Sequence, residues 1–445
     1  MLKGGSKMSK YKNNLIEKLK NKSAKLGVVG LGYVGLPLAV EKAKAGFEVI
    51  GFDVQDQKVA MVNEGKNYIG DIIDSDLDEL VKNGRLKATT DFSFVKEVDT
   101  VCIAVPTPLD IYKQPDLSYV VSSTRSVAKY LHSGMLVVLE STTYPGTTEE
   151  VIKPILEESG LKCGVDFFLA FSPERVDPGN KEFKTKNTPK VVGGCTPDCT
   201  EVAAMLYRSV LEGEVMEVSS PAVAEMEKIL ENTFRNINIA LANEMALLCN
   251  RMGIDVWEVI DAAKTKPYGF MAFYPGPGLG GHCIPLDPFY LEWKAKEYDF
   301  HTKLIETSGI INDMMPEFVV DSTMKLLNKE KKAMNGAKVL LMGIAYKKDI
   351  DDMRESPALK VIDHLLKNGA EVVYNDPHVP NFKHAGVEYT SVEWEKAINE
   401  ADIVLITTDH SSYDYEAIVE KAKIIYDTRN ATKNVENNRD KIFKL

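Results

Sequence analysis

The sequence predicts an α/β protein in which two doubly wound parallel sheets are joined by a long central helix or helical domain. Three observations predict this class. Short apolar runs alternate with helical segments in the first half of the chain, one long helical pattern follows, and the alternation then returns. At 445 residues the chain has room for about three domains.

The composition excludes several classes of function. Hydrophobic residues make up 44% and charged residues 27%, as in an ordinary soluble protein. The net charge of −11 argues against nucleic-acid and anionic-membrane partners, which would favour a basic surface. The chain shows neither an apolar span nor a signal peptide, so we expect a cytoplasmic protein with no membrane contact. Residues 1–24 are basic and polar, which indicates a frayed arm or a short helix.

Cysteine usage does not indicate a metal site. The six cysteines are scattered and form no paired CxxC framework. Cys195 and Cys199 are interpreted as an incidental pair in a reducing compartment, although a metal site there is the weaker alternative. We therefore expect no metal.

The first predicted domain covers residues 25–212. KLGVVG reads as a strand, YVGLPLAVEKAKAG as a helix ending at Gly46, and FEVIGFD as a second strand ending at Asp53. Further buried strands are predicted at 100–106, 135–141, 167–173 and 190–194.

The second predicted domain, residues 213–328, is helical and begins with a long helix from Pro221 to Gly253. The third, residues 329–445, restores the first pattern. AKVLLMGIAY, EVVYNDP, ADIVLITTDH and KIIYDTRN read as its strands, and SPALKVIDHLLKNGA as a helix.

A glycine pattern at the first strand-to-helix junction indicates a dinucleotide site. Gly30, Gly32 and Gly35 fit GxGxxG, in which the glycines allow a tight turn, a close approach of backbone to pyrophosphate, and helix–strand packing. Asp53 stands where an acid would bind the adenosine ribose, and its charge would repel a 2′-phosphate. The cofactor is therefore predicted to be NAD rather than NADP, although the positive charge of Lys58 nearby slightly weakens this preference. A Rossmann-like first domain follows.

Cys283 lies in GLGGHCIPLDP, a stretch too rich in Gly and Pro for regular packing. Backbone at Gly280 and Gly281 could approach a ligand closely, as a nucleophile requires. The thiol could trap an aldehyde as a thiohemiacetal, from which a second hydride can leave. His282 could activate the thiol, but we favour a role in shaping the substrate pocket. Cys102 and Cys249 lie in apolar runs and are expected in the core.

Polar residues on the long helix offer two readings. Lys228, Asn232 and Arg235 share one stripe, which periodicity alone favours as a solvated face. An amide beside a cation could instead hold an oxyanion. Asp287 and Glu174 are the carboxylates that could handle protons. Two lysines in GIAYKKD, with Arg354, suit a phosphate group, and the alternative is a solvated basic turn.

These motifs together resemble the UDP-sugar 6-dehydrogenases. The resemblance is carried, in order from about residue 25 to 430, by GLGYVG, VPTP, ESTTYPGTT, FSPER, MEKILENTFRNINIALANE, PGPGLGGHCIPLDP and YKKDIDDMRESPAL. The histidine before the cysteine and the run YPGPGLGGHCIPLDPFYLEWKA are more similar to the branch that oxidises UDP-N-acetylhexosamines than to UDP-glucose dehydrogenases.

The resemblance implies two successive oxidations of the sugar C6 alcohol by two NAD, through a cysteine-bound thioester. It makes Cys283 the nucleophile, with Lys228 and Asn232 stabilising the oxyanion and holding the attacking water. Asp287 would support both the lysine and the water. Glu174 and Thr142 would assist proton transfer. It further implies a homodimer built on the long helix, with the C-terminal half gripping UDP.

The resemblance also implies two sets of ligand contacts. The residues expected at NAD are Gly30, Gly32, Tyr33, Val34, Gly35, Asp53, Lys58, Thr107, Thr142 and Arg354. The residues expected at the UDP-sugar are Glu174, Arg175, Val176, the rest of the turn to residue 178, Lys228, Asn232, Arg235, Tyr274, Gly280, His282 and Lys347. Leu286 stands where some members carry a lysine, so that cofactor contact is not carried over.

The resemblance favours UDP-N-acetylglucosamine as the substrate, with UDP-N-acetylmannosamine, UDP-N-acetylgalactosamine and UDP-glucose as alternatives. Two other classes stay open: a two-electron hydroxyacid dehydrogenase, which would not need Cys283, and a non-catalytic nucleotide-sugar sensor. Precursors of capsule, O-antigen or cell-wall glycans are the products that the family suggests.

Overall fold

The computed structural model describes residues 2–70, 72–176, 180, 182–281 and 283–445. These residues form two compact units. The first comprises Met1–Glu231 and Trp293–Asp299, and the second comprises Asn232–Glu292 and Phe300–Leu445.

The first unit is built on an eight-stranded sheet with the order β3-β2-β1-β4-β5-β6-β7-β8. Neighbouring strands are parallel except β6 and β7, which are antiparallel. The first six positions have the strand order of a Rossmann fold, which confirms the predicted class. The strands are β1 (Lys25–Val29), β2 (Glu48–Phe52), β3 (Leu86–Thr89), β4 (Thr100–Ile103), β5 (Leu136–Leu139), β6 (Phe168–Phe171), β7 (Lys190–Gly194) and β8 (Val215–Val218).

Helices follow most of these strands. Apolar residues of the central strands are buried on both faces, as expected for a parallel sheet with helices on either side. The helices are α1 (Leu2–Lys20), α2 (Gly35–Lys44), α3 (Asp56–Asn63), α4 (Asp74–Lys82), α5 (Ser118–Ala128), α6 (Lys153–Glu157) and α7 (Pro197–Val210), with a 3₁₀ turn at Phe92–Glu97 and a π turn at Thr148–Ile152.

The N-terminal segment is a docked helix, so the expectation of a frayed arm is wrong and the alternative of a helix is confirmed. Leu15 and Leu19 of α1 are buried in the core of the first unit. Lys12 forms ion pairs with Asp198 (2.7 Å) and Glu201 (3.0 Å) of α7. The apolar residues repeat at helical spacing, and that amphipathic pattern is what holds a basic segment on the domain.

Long helices follow the first sheet. Helix α8 (Pro221–Met252) begins at a proline, and Gly253 follows it with φ +68°, so the predicted boundaries are confirmed. The other helices of this part of the chain are α9 (Val256–Lys264), α10 (Asp287–Ala295) and α11 (Lys303–Lys329), with a 3₁₀ turn at Lys296–Tyr298.

The second unit contains a five-stranded parallel sheet with the order β10-β9-β13-β14-β15. A separate hairpin, β11–β12, was not predicted. The strands are β9 (Lys338–Met342), β10 (Glu371–Asn375), β11 (Asn381–His384), β12 (Val387–Thr390), β13 (Ile403–Ile406), β14 (Ile425–Asp427) and β15 (Ile442–Lys444). The helices are α12 (Pro357–Lys367), α13 (Trp394–Glu400) and α14 (Tyr415–Lys421), with a 3₁₀ turn at Arg439–Lys441.

Across the described part of the chain, none of the helices combines the length and the apolar character needed to cross a bilayer.

Candidate active site

The loop between β1 and α2 has the geometry of a dinucleotide-binding turn. Gly30 has φ +89°, and a Cβ there would lie 2.4 Å from the Ala104 carbonyl oxygen. A Cβ on Gly35 would lie 1.7 Å from the Gly30 oxygen, whereas a Cβ on Gly32 would have no atom of the described residues within 4 Å. The Val34 side chain offers no cap to α2. The loop is therefore tight where it packs on protein and open at the helix N-terminus, which suits a pyrophosphate.

Asp53 anchors this loop from the end of β2. Its buried carboxylate accepts hydrogen bonds from the backbone N–H groups of Leu31 (2.8 Å) and Gln55 (3.0 Å). Tyr68, which the sequence did not single out, donates to the Leu31 oxygen at 2.7 Å. Burial, and then the Asp53 charge, raise the pKa of the Tyr68 hydroxyl. The carboxylate is therefore held at the carboxyl end of β2, and Lys58 is half-buried on α3.

The loops after β4 and β5 are joined by Ser141. Its hydroxyl accepts a hydrogen bond from the Val105 N–H (2.9 Å) and donates to the Val105 oxygen (2.7 Å). Thr107 is buried in the first of these loops and Thr142 is half-buried in the second. Both threonines thus follow neighbouring parallel strands, on the sheet edge where such folds bind dinucleotides.

The FSPER turn after β6 places Glu174 beside backbone donors. Its Oε1 accepts from the N–H groups of Arg175 (2.9 Å) and Val176 (3.0 Å). Burial would raise the pKa of Glu174, but the Lys190 ammonium and these N–H groups lower it overall. Glu174, Val176, Tyr33 and Val34 line one cavity of about 370 Å³ in the first unit.

Arg175 turns toward α8. Its guanidinium is paired with Glu231 and lies 3.5 Å from Glu227. Burial would lower the pKa of Arg175, but the Glu231 and Glu227 carboxylates raise it overall. Burial and hydrogen bonding to Glu231 raise the pKa of Glu227 to about 7.

The polar residues of α8 do not share one environment. Lys228 is 8% exposed and Asn232 is 5% exposed, whereas Arg235 is exposed. The reading of the whole stripe as a solvated face is therefore wrong for the lysine and the amide. Burying a cation and an amide costs free energy unless both have polar partners. These two residues are therefore candidates for binding a polar ligand or a reacting group.

In the second unit, the same amide meets the cysteine loop. Asn232 Nδ2 donates to Asp287 Oδ2 at 2.6 Å. The Cys283 carbonyl oxygen accepts from the N–H groups of Leu286 (3.1 Å) and Asp287 (2.9 Å), which fixes the turn before α10. Cys283 is half-buried. Asp287 therefore links the other two candidates, because its carboxylate binds Asn232 and its N–H binds the Cys283 carbonyl oxygen.

The glycines before Cys283 pack closely against protein on the side where a Cβ would stand. A Cβ on Gly280 would lie 2.5 Å from Tyr346 Cβ and 2.9 Å from Pro357 Cδ. The Gly281 N–H donates to the Arg354 carbonyl oxygen at 3.1 Å. Close packing of the loop against the segment after β9 is therefore the physical reason for Gly280.

Two asparagines that the sequence reasoning missed hold the ends of this loop. Asn236 Nδ2 donates to the Ile284 oxygen (3.0 Å), and the Gly276 N–H donates to Asn243 Oδ1 (3.0 Å). They follow Asn232 on α8 by four and eleven positions, which places all three on one helical face. That spacing was the available signal.

The second unit also contains a cavity of about 540 Å³. Tyr274 lies at its edge, with its hydroxyl donating to Asp261 at 2.7 Å and its ring stacked on Trp257. The Trp257 indole N–H and the Asn430 amide oxygen are buried and lack a hydrogen-bond partner among the described residues. The cavity is lined by four cations and two carboxylates, namely Lys264, Lys348, Arg429, Lys433, Asp261 and Asp409.

Arg429 was also missed, although YDTRN lies at a predicted strand end. It is half-buried, and its Nε donates to the Thr407 oxygen at 2.9 Å. Burial lowers the pKa of Arg429, against the nearby charges of Asp409 and Asp427. A Cβ on Gly276 would lie 2.5 Å from Arg429 Nη1, so the glycine leaves room for the guanidinium.

Arg354 and Lys347, also predicted as site residues, lie in the segment after β9. Arg354 is exposed and pairs with Asp352 through Nε (3.0 Å) and Nη2 (2.6 Å). Lys347 is half-buried in the same segment. His282, with residues 177 and 178 of the FSPER turn, lies outside the described residues.

A trio of candidate metal ligands lies in the second unit. Ligand atoms of Asp349, His378 and His410 lie within 4.8 Å of one another. His410 faces Asp376 Oδ2 through Nε2 (2.9 Å) and accepts from the Asp349 N–H through Nδ1 (3.0 Å). Because both ring nitrogens are engaged, a metal would have to displace one of these bonds. The absence of a metal stays a prediction.

Sequence comparison finds the same family along three segments. Residues 24–211 match the NAD binding domain of the UDP-glucose/GDP-mannose dehydrogenase family, residues 222–314 its central domain, and residues 340–434 its UDP binding domain.

Individual relatives carry several substrate names. The UDP-N-acetyl-D-glucosamine 6-dehydrogenase of Pseudomonas aeruginosa is 40% identical over 395 residues, covering 88% of this chain and 89% of the relative. The NDP-N-acetyl-D-galactosaminuronic acid dehydrogenase of Ralstonia nicotianae is 36% identical, with 91% and 95% covered. A solved structure of the UDP-D-ManNAc dehydrogenase from Pyrococcus horikoshii superposes with a TM-score of 0.84 at 38% identity, with 92% and 96% covered.

Proposed function

Because the chain belongs to the UDP-glucose/GDP-mannose dehydrogenase family of NAD-dependent oxidoreductases, we propose that it oxidises C6 of a UDP-N-acetylhexosamine to the carboxylate. The observation that carries the proposal is the Cys283 turn, with Asp287 bound to the buried amide of Asn232. A two-electron dehydrogenase would need no such cysteine. The match to a UDP binding domain likewise disfavours a hydroxyacid substrate.

We assign NAD to the β1–α2 loop of the first unit. Gly30, Gly32 and Gly35 form the turn, with Tyr33 and Val34 between them, and Asp53 would bind the adenosine ribose. Bound NAD accepts the hydride that leaves C6. Lys58, Thr107, Thr142 and Arg354 remain proposed contacts.

Cys283 is the proposed nucleophile. After C6 loses a hydride and its hydroxyl loses a proton, the sulfur adds to the resulting aldehyde carbon, and the thiol proton goes to the former carbonyl oxygen to give a thiohemiacetal. Loss of the second hydride leaves a thioester on Cys283, and water then displaces the sulfur to give the carboxylate and regenerate the thiol. Each sugar thus loses two hydrides to two NAD and gains one oxygen from water.

The neighbouring polar groups have proposed roles in these steps. Lys228 and Asn232 would stabilise the oxygen that becomes negative in the thiohemiacetal and during hydrolysis. One N–H of the Asn232 amide binds Asp287, which orients the second N–H as a donor. Asp287 would support the lysine and the attacking water, and Glu174 and Thr142 would assist proton transfer in the first oxidation and the hydrolysis.

We propose that the cavity of the second unit receives the nucleotide end of the substrate. Four cations around it suit phosphate. Tyr274, Gly280 and Lys347 belong to the same proposed substrate site in the second unit. Arg175, Val176, Arg235 and His282 are assigned to the substrate by family resemblance.

UDP-N-acetylglucosamine is the proposed substrate. The support is the 40% identical relative of that name, whereas relatives at 36–38% carry the galacto and manno names. The epimers differ by one hydroxyl or amide contact. A site built to bind that group discriminates strongly, because its own buried partners would otherwise be left unpaired.

We also propose a homodimer formed through α8. An apolar stripe runs along one exposed face of this helix, with spacings of three, four or seven residues, and consists of Val223, Met226, Leu230, Phe234, Leu241, Leu248 and Met252. A stripe of this length on a helix suits a second copy of the same helix. Leu230→Glu should give the monomer mass in sedimentation, and Ile111→Glu, at an exposed loop position, should not.

We further propose a cytoplasmic location and the three-domain division given above. All six cysteines are free thiols, as a reducing compartment would keep them. NAD, central and UDP domains would then correspond to residues 25–212, 213–328 and 329–445, after the N-terminal segment 1–24.

The test is the amount of NADH released per mole of sugar consumed. UDP-N-acetylglucosamine, its manno and galacto epimers, and UDP-glucose form the panel. We expect two NADH per sugar, with UDP-N-acetylglucosamine preferred. One NADH per sugar would indicate a two-electron dehydrogenase, and binding without NADH would indicate a nucleotide-sugar sensor.

A further inference from the structure

Three charged side chains meet beneath the FSPER turn of the first unit. Lys190 Nζ lies 2.7 Å from Glu140 Oε2 and 3.2 Å from Glu174 Oε2. The exposed fractions of these side chains are 5% for Lys190, 0% for Glu140 and 15% for Glu174. One ammonium is therefore shared by two carboxylates in a largely dry environment, and only Glu174 retains some access to solvent.

The sheet brings the three groups together. Glu140 directly follows β5, Glu174 lies in the turn after β6, and Lys190 is the first residue of β7. Strand β5 pairs with β6, and β6 pairs with β7, so the three side chains come from neighbouring strands. The position of Lys190 is fixed by the strand that carries it.

Glu140 has a second partner that does not involve Glu174. The Tyr207 hydroxyl of α7 donates to Glu140 Oε1, and the Lys190 ammonium also lies 5.2 Å above the Tyr207 ring. Beyond Tyr207, the Cys102 sulfur lies 3.9 Å from its hydroxyl and accepts from Lys42 at 2.8 Å. Glu140 is thus the fully buried member of the cluster, and Glu174 is the most exposed one.

Both oxygens of Glu174 are engaged. Oε1 accepts the two backbone N–H groups of the turn, and Oε2 accepts from Lys190. Burial would lower the pKa of the Lys190 ammonium, but the charges of Glu140 and then Glu174 raise it overall. The same contacts lower the pKa of Glu174 against the effect of burial.

Other charged groups near Glu174 do not replace Lys190. The Arg175 guanidinium also attracts Glu174 but forms its ion pairs with Glu231 and Glu227. Glu41, Lys44 and Lys184 line the same 370 Å³ cavity, and within the described structure none of them forms a hydrogen bond or ion pair with Glu174. Of these groups, Lys190 makes the direct ionic hydrogen bond.

We propose that Lys190 is a positioning residue that keeps Glu174 anionic and fixes its orientation, which is the form that a proton acceptor needs. The inference rests on the proposed dehydrogenase function. It adds a residue outside the expected site to the proton transfer expected of Glu174.

The experiment replaces the buried pair as a unit. Lys190→Met alone would leave Glu140 buried without its cation, so the variant is Lys190→Met combined with Glu140→Gln. Without the ammonium, the pKa of Glu174 should rise by about one to three units, the size of the effect of an adjacent opposite charge. In the plot of kcat against pH, the decrease on the acidic side should therefore occur at a higher pH, with activity recovered at high pH.

Three comparisons identify the group that titrates. Adding Glu174→Gln to the double variant should remove the new ionisation. Lys190→Arg, which retains the charge, should keep the profile near that of the unmodified protein. Lys186→Met, which breaks an exposed pair with Glu212 in the same unit, should leave it unchanged.

A readout without turnover separates this inference from the proposed function. In infrared spectra recorded as a function of pH, the carboxyl band that Glu174→Gln removes should appear at a higher pH in the double variant than in the unmodified protein. A profile and spectrum like those of the unmodified protein would overturn the role of Lys190. If the panel of UDP-sugars gives no NADH while the band appears as expected, the proposed function fails and the Lys190–Glu174 relationship stands.

Discussion

Asn232 Nδ2 donates a 2.6 Å hydrogen bond to Asp287 Oδ2, joining helix α8 to the first residue of α10. The two residues are 55 positions apart in the sequence, and Cys283 lies one turn before the aspartate. This bond fixes the amide beside the cysteine loop. The catalytic proposals for all three residues depend on it.

Asn232→Ala should lower kcat by about 10²- to 10³-fold, as the loss of one oxyanion donor does in other enzymes. Asp287 would also lose its donor. The measurement is steady-state NADH formation with the preferred UDP-sugar. Asn238→Ala is the matched control, because Asn238 lies on the same helix and bonds only to the Phe234 oxygen in the described structure. Equal effects of the two changes would rule out a specific role for Asn232.

Cys283→Ala should abolish the second oxidation, with a loss of overall turnover of at least about 10³-fold, because the thioester cannot form. Mass spectrometry of the unmodified protein, quenched during turnover, should find the sugar attached to the peptide that contains Cys283. Cys195→Ser, at a half-buried cysteine of the first unit, is the control and should keep its turnover. Full activity of the Cys283 variant would contradict the thioester route.

Gly280→Ala should destabilise the fold by about 1–3 kcal/mol, the usual cost of inserting a methyl group into a packed contact. The new Cβ would meet Tyr346 at 2.5 Å and Pro357 at 2.9 Å. Gly70→Ala serves as the control, since a Cβ there has no atom of the described residues within 4 Å. Thermal unfolding of both variants measures the difference. An unchanged Tm for Gly280→Ala would show that the loop does not depend on this packing.

Stability should decrease between about pH 5 and 8 because of Glu225. Burial raises the pKa of Glu225 to about 7, although its carboxyl accepts bonds from Thr148 and the Gly146 N–H. A raised folded-state pKa gives stability that is fully present below the unfolded value of 4.5 and is lost as the pH rises through about 7.

Glu225→Gln should flatten that dependence, which amounts to at most about 1.4 kcal/mol per pH unit for one proton. Denaturant unfolding at pH 5, 6, 7 and 8 compares the two proteins. Glu227, whose pKa is raised in the same direction, remains in the variant and accounts for the residual slope. Identical slopes would mean that Glu225 titrates alike in the folded and unfolded chains.

The sequence was sufficient for features that depend on local pattern. The buried strands, the glycine turn and the boundaries of α8 follow from apolar runs, Gly and Pro, which act over a few neighbouring residues. The same reasoning identified Cys283, because a cysteine between glycines and prolines has no regular packing role.

Features that depend on tertiary partners were not accessible in this way. Lys190 and Glu140 read as strand-end residues, and their pairing appears only when β5, β6 and β7 lie side by side. Periodicity grouped Arg235 with Lys228 and Asn232, but whether a helical face is buried depends on what packs against it. Asn243 and Arg429 act through backbone groups far away in sequence, which no local pattern encodes.

The docked helix α1 has a practical consequence for recombinant work. The family match begins at residue 24, so a clone trimmed to that boundary would omit Leu15 and Leu19 and expose the apolar surface that they cover. It would also remove the Lys12 partner of Asp198 and Glu201. Expression plasmids should therefore retain α1, and a purification tag placed before it needs a flexible spacer.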